Sequence, residues 1–149
     1  MMQDDFVMAD VNMEGFQLIR GQYFSRQADP VMTLWKSAVG FNAPSYTALN
    51  NCEAVQFFVH PTERKIIIKP SPSKEPDSVN WTKDVLQAKT NRLECTMFTR
   101  RLFRQWNLDE NLRYRTNGKL VRSNRSVMLL FDFTEPEIWD GTKMVKESV

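Results

Sequence analysis

Hydrophobic and polar positions alternate along this chain in two similar stretches, roughly 31–70 and 93–133, and each predicts a short helix feeding a pair of strands. In the first stretch, Val31-Met32-Thr33-Leu34-Trp35 reads as a strand with Val31, Thr33 and Trp35 on one face. Asn42 is a suitable N-cap, and Pro44 falls in the first helical turn, where its missing N–H costs nothing. The helix places Tyr46 and Leu49 inward and should end at Asn50-Asn51, which tolerate a left-handed terminus. Ala54–Val59 and Lys65–Lys69 then predict a hairpin across the turn residues 60–64.

Residues 70–78 carry three prolines and three serines and continue neither helix nor strand, so 70–80 is the expected linker, with Trp81 pinning its end to the core. In the second stretch Cys95, Phe98, Leu102 and Trp106 make one apolar stripe on a helix, at least from Thr96 onward. Leu112–Arg115 alternates as a strand, Asn117-Gly118 signals a hairpin turn, and Lys119–Arg122 is the expected return. Ser126–Phe133 is almost continuously apolar, which predicts a central strand buried on both faces. The tail from Thr134 reads as peripheral, with Ile138 and Trp139 seeking a groove. At the other end, residues 1–15 read as an acidic arm and Phe16–Phe24 as a strand interrupted at Gly21.

These elements predict an α+β fold: two helix–β-hairpin halves, 16–70 and 81–140, around an antiparallel sheet in one compact domain of residues 16–149. A length of 149 residues with ten Phe, four Trp and three Tyr is enough to bury a core. The N-terminus lacks the pattern of a secretory signal, and no apolar run reaches the ~20 residues of a membrane span. Cys52 and Cys95 read as two reduced thiols of a cytoplasmic protein, too few for a disulfide framework or zinc site.

Charge changes the picture. The net charge is +2, yet residues 89–125 hold ten cations against three anions, +7, leaving −5 for the rest. Much of that deficit lies in Asp4, Asp5, Asp10 and Glu14 at one end and Asp132, Glu135, Glu137, Asp140 and Glu147 at the other. Two readings stay open: a footprint for a polyanion, or a basic centre paired with its own acidic ends. On the first reading Arg100, Arg101 and Arg104 on the helix, with Arg113, Arg115, Arg122 and Arg125 on the following strands, track a phosphate backbone, and Tyr114 stacks beside them.

Catalytic chemistry finds less support. His60 has no Ser or Cys partner in a nucleophilic spacing and reads as a turn residue. Glu63-Arg64-Lys65 is formally the E-x-K of some metal-dependent nucleases, but the aspartate that should precede it is misplaced. Asp132, Glu135, Glu137 and Asp140 lack the loop spacing of a calcium site and read as solubilising an edge or pairing with arginines. Five glycines include no phosphate-binding loop. The expectation is a non-enzymatic protein with neither catalytic nor metal residues and no cofactor.

The segment Val31–Leu34 through Phe41-Asn42-Ala43-Pro44, then Leu49, Val55-Gln56-Phe57 and Ile66-Ile67-Ile68-Lys69-Pro70, resembles the core pattern of AbrB-type swapped-hairpin proteins. That resemblance covers about forty residues and implies a dimeric, DNA-binding swapped-hairpin unit. Cys52-Glu53 stands where the family usually has Gly-Asp, and only Lys36 lies where its DNA-contacting residues cluster, which moves the implied contact to the second half. Phe41-Asn42-Ala43, Ile68-Lys69-Pro70, Phe98…Leu102-Phe103…Trp106, Tyr114-Arg115 and Phe131-Asp132…Glu135…Glu137 together resemble uncharacterised proteins of conjugative transposons and integrative elements of Gram-positive bacteria. This implies a DNA-binding or regulatory accessory protein in transposon regulation or integration, acting as a homodimer. The alternative is a protein–protein interaction module that docks a recombinase or conjugation component.

Overall fold

The apolar run near the C-terminus forms the strand on which two hairpins meet. In the computed structural model, which describes residues 9–18, 29–82 and 92–147, this strand belongs to one hairpin and pairs on its other side with a second. The first hairpin is β3 (Ala54–His60) and β4 (Lys65–Pro70). The second is β7 (Arg113–Ser123) and β8 (Ser126–Asp132). The strands β4 and β8 pair antiparallel, with Ile66 opposite Phe131 and Ile68 opposite Leu129, and all four side chains are fully buried.

The remaining strands extend the sheet at both ends. They are β1 (Val31–Leu34), β2 (Ala38–Phe41), β5 (Val79–Asn80) and β6 (Arg92–Glu94). The order is β5-β3-β4-β8-β7-β1-β2-β6, and every pairing is antiparallel. A sheet this long with right-handed twist curls, and it forms a half-barrel. The fold is therefore α+β but dominated by sheet. Of two further strands, β9 (Glu137–Asp140) pairs with the first part of β7, and β10 (Lys143–Lys146) pairs with β9. Between Phe131↔Gly118 and Glu137↔Arg115 one strand spends six residues against three on β7, so three residues bulge out. That bulge includes Phe133, which is buried and packs 6.0 Å from Trp106.

Two helices close the concave side. Helix α1 (Ala43–Ala48) is capped by Asn42, whose Oδ1 accepts from the Ser45 amide at 3.3 Å and the Val31 amide at 2.8 Å, so one side chain starts a helix and a strand. It ends as its sequence predicts, with Asn50 and Asn51 at φ 56° and 53°. Tyr46 and Leu49 point inward, and Tyr46 packs 4.5 Å from Trp81. Trp81 is fully buried and its Nε1 donates to the Cys52 carbonyl at 2.8 Å, which pins the chain after β5 to the core; within the stretch expected as a linker, Pro70 ends β4 and Val79–Asn80 form β5. Helix α2 (Thr96–Gln105) buries Thr99, Leu102 and Phe103, followed by Trp106. Phe103 packs 5.8 Å from Tyr114, and Trp106 Nε1 donates to the Pro61 carbonyl at 3.1 Å.

Two expectations need correction. Asn117-Gly118 is not a turn: both residues lie inside β7, and the reversal falls at Asn124-Arg125, with φ 48° and 70° as a type I′ turn requires. Gly118 is there for space, because a Cβ would stand 2.5 Å from the Phe131 ring. Lys119–Arg122 accordingly continues β7 rather than returning along it. On β1, Met32 and Leu34 are fully buried, and of the face shared by Val31, Thr33 and Trp35 only Val31 is buried; Trp35 lies under the Arg92 guanidinium at 4.2 Å. Residues 16–18 carry no strand, and the rest of the strand expected at 16–24, like residues 1–8 of the acidic arm, lies outside the described residues.

Two predictions follow from this packing. Gly118→Ala should cost about 1–3 kcal/mol by overpacking against Phe131, read from denaturant midpoints, and Phe131→Leu in the same chain should recover part of it. Burial pushes the Tyr46 hydroxyl from 10.0 up to about 12 and the Cys95 thiol from 9.0 up to about 11. The unfolded chain therefore loses these protons first, so their contribution is complete below pH 9 and falls away as pH rises through 11 to 12. Urea midpoints should drop between pH 8 and 11, and by less in Tyr46→Phe/Cys95→Ala relative to its own neutral value.

Candidate nucleic-acid interface

The seven arginines singled out in the sequence separate into three groups. On α2, Arg100, Arg101 and Arg104 are all exposed, because the buried stripe of Thr99, Leu102 and Phe103 fixes the opposite side of the helix inward. Arg100 and Arg104 are one turn apart and border a shallow hollow shared with Asn107 and Glu110. None of the three lies within 4 Å of a carboxylate among the described residues.

Arg113 and Arg115 are placed on the other face of the sheet. Strand alternation turns Tyr114 and Thr116 toward the core and the two arginines outward, onto β9. Arg113 stacks 4.9 Å from the Trp139 ring and donates to the Gly141 carbonyl. Arg115 Nη1 meets Glu137 Oε1 at 3.3 Å, and that carboxylate is buried and also accepts from Trp139 Nε1 at 3.1 Å. These two arginines hold the β7–β9 seam. Tyr114 is buried, and its hydroxyl accepts from the Asp109 amide at 2.9 Å, so it offers no ring to a base.

The third group sits at the β7–β8 turn. Arg122 lies nine residues beyond Arg113 along β7, about 30 Å of extended strand. It is cross-strand from Val127, and Arg125 occupies the turn itself. Both are exposed, and neither meets a carboxylate within 4 Å among the described residues. The seven therefore do not make one continuous face.

In the acidic tail, Glu137 pairs with Arg115 of the basic segment, and Glu135 meets Lys146 at 3.5 Å. Asp132 serves its own loop. Partial burial raises its carboxyl, but the Thr134 hydroxyl at 2.6 Å, the Thr134 amide, Lys65 and Lys119 outweigh this and hold it below the usual carboxylate range. No group of three or more His, Cys, Asp or Glu among the described residues is arranged to hold a metal ion.

The other candidate chemistries resolve into local structure. His60 ends β3, with Nε2 2.9 Å from Glu63 and Nδ1 accepting from the Glu63 amide at 3.2 Å, so it ties the hairpin turn. Lys65 reaches Glu63 at 3.2 Å, which makes the E-x-K a turn-spanning pair. Burial pushes both thiols up, Cys95 to about 11, leaving little nucleophilic thiolate at neutral pH. No helix among the described residues is long and apolar enough to cross a membrane. No family model, curated protein or solved structure matches this chain.

Pairing of Glu137 with an arginine was one of the two readings open from the sequence, whereas the sequence did not reveal Trp139 as the ring under Arg113. The pairing separates two functions that charge alone merges. Arg115→Ala should lower stability by about 1–3 kcal/mol in denaturant, because it strips an ionic partner from a buried carboxylate, and should leave any salt-dependent DNA affinity nearly unchanged.

Proposed function

We propose that this chain is a non-enzymatic DNA-binding protein whose outward side of α2 holds phosphates through Arg100, Arg101 and Arg104. One observation carries the reading. Three exposed arginines, none within 4 Å of a carboxylate among the described residues, stand within ~6 Å of helix rise on an element anchored by Leu102, Phe103 and Trp106. A rigid helix holds the guanidinium groups in one relation to each other, which lowers the ordering cost of phosphate contact. Arg122 and Arg125 add a second cationic point at a distance, while Arg113 and Arg115 support the frame. The resemblance to proteins of integrative elements supplies mobile DNA as the setting.

The strand order favours the finer architecture expected from the sequence, two related halves. Written as β1-β2-α1-β3-β4 and β5-β6-α2-β7-β8, the halves exchange under the renumbering of β1 to β5, β2 to β6, β3 to β7 and β4 to β8. That exchange reverses the order around the curl and leaves it unchanged once β5 and β6 are taken as neighbours. The two pairings between counterpart strands, β2 with β6 and β4 with β8, are antiparallel, as a two-fold relation demands. On this reading each half lends its first two strands to the other, in the manner of a swapped hairpin within one chain.

Fluorescence anisotropy on a random-sequence duplex tests the binding. Wild-type affinity should fall steeply with salt, and Arg100→Glu/Arg101→Glu/Arg104→Glu should weaken it at least about tenfold, with the log–log salt slope shallower by about 2–3. Retention of full affinity by that variant, with an unchanged circular-dichroism spectrum, refutes the assignment.

A further inference from the structure

We infer that the cleft between β5 and β6 receives the β7–β8 hairpin tip of a second copy of this chain. The cleft, about 540 Å³, lies where the curled sheet has its two ends. Its walls are apolar: Val39, Phe57, Val79, Leu93 and Phe98. Its charged members are Asp77 and Glu94, both exposed and neither within 4 Å of a cation among the described residues. A concave apolar site of this size with a few polar groups is of the kind that takes a ligand.

The hairpin tip has the complementary composition. Among the described residues, β1 pairs with β7 no further than Asn117, and β4 pairs with β8 no further than Leu129, so the tip beyond them is a bare two-stranded ribbon. Ribbons of two strands gain stability from a surface to pack on. Leu120 is 54% exposed and Val127 40%, on the same side of the ribbon by strand alternation, with Arg122 between them and Arg125 at the turn. Two apolar side chains flanked by two arginines thus complement a cleft of apolar walls flanked by two carboxylates, all four charges without an ionic partner within 4 Å among the described residues. Arg125 is also held at φ 70°, where glycine is the economical residue.

Reciprocal insertion, each copy's tip in the other's cleft, makes an isologous contact that closes as a dimer. The association does not depend on the α2 arginines, so it stands or falls separately from DNA binding.

Sedimentation equilibrium over a concentration series tests it on the full chain. Wild type should self-associate. Arg122→Glu/Arg125→Glu and Asp77→Arg/Glu94→Arg should each weaken association at least about tenfold, and the combined fourfold variant should restore it. Arg125→Gly should raise the unfolding midpoint while weakening association, a split that a purely structural role would not produce. A photo-reactive benzoylphenylalanine in place of Leu120 should crosslink to peptides containing Val79 or Phe98 of another copy. A monomer at every concentration overturns the proposal, as does a dimer indifferent to both charge reversals. Capture of Val79 or Phe98 within the same chain overturns it too. So does a phage-displayed basic peptide that occupies the cleft while the chain stays monomeric, and that result would make the occupant a different protein.

Discussion

The fold depends on the junction of β4 and β8. Ile66 and Ile68 from one hairpin face Phe131 and Leu129 from the other, all without solvent contact, and β3, β7, both helices and the remaining strands arrange around that line. Neither hairpin can bury its apolar side alone, and burial of four large side chains here contributes roughly 6–12 kcal/mol before chain entropy is charged against it. The junction also sets the demand met by Gly118. With Phe131 turned inward against Ile66, its ring sweeps over β7, and only a residue without a side chain fits beneath it.

Much of this was legible because it is local. Asn42 before Ala43-Pro44, the asparagines after Leu49, the Ala54–Val59 and Lys65–Lys69 alternation, and the stripe through Leu102 to Trp106 each specify their element within a few residues. What misled was also local. Asn117-Gly118 has the composition of a hairpin turn, yet its glycine answers a contact with a residue thirteen positions away, and the actual turn, Asn124-Arg125, places an arginine where the same conformation usually takes glycine. Which face of β1 is buried was not legible in the same way: a four-residue strand with three apolar residues has no alternation strong enough to choose a side, and packing in the core chooses it.

The candidate site shows the limit more sharply. Charge counting finds the arginines but cannot place them, since placement rests on period and length. A helical period puts Arg100, Arg101 and Arg104 together; a strand period of two puts Arg113 and Arg115 opposite Tyr114; the length of β7 carries Arg122 about 30 Å further. Pairing then divides their roles. An arginine beside a buried carboxylate, as Arg115 is beside Glu137, has its charge already matched and acts as structure, while one with no carboxylate in reach keeps its field for a partner.

On the proposed reading of two related halves, the features proposed for binding gather where the halves differ. Val39 and Leu34 close the β1–β2 hairpin of the first half, while the corresponding β5 and β6 of the second flank the cleft of Val79 and Leu93. The first half's β3–β4 turn is tied down by His60, Glu63 and the Arg64 guanidinium, which donates to the Trp106 carbonyl at 2.7 Å; the second half's β7–β8 turn runs past its neighbours and ends in Arg125. The first helix carries no cation, and the second carries three. A symmetric frame needs both copies of its core residues, Ile66 and Ile68 as much as Leu129 and Phe131, but it needs a closed seam, a tied turn and a neutral helix only once. The second copy of each is then under no structural demand, and those three places are where an opened cleft, an extended ribbon and a basic helix occur.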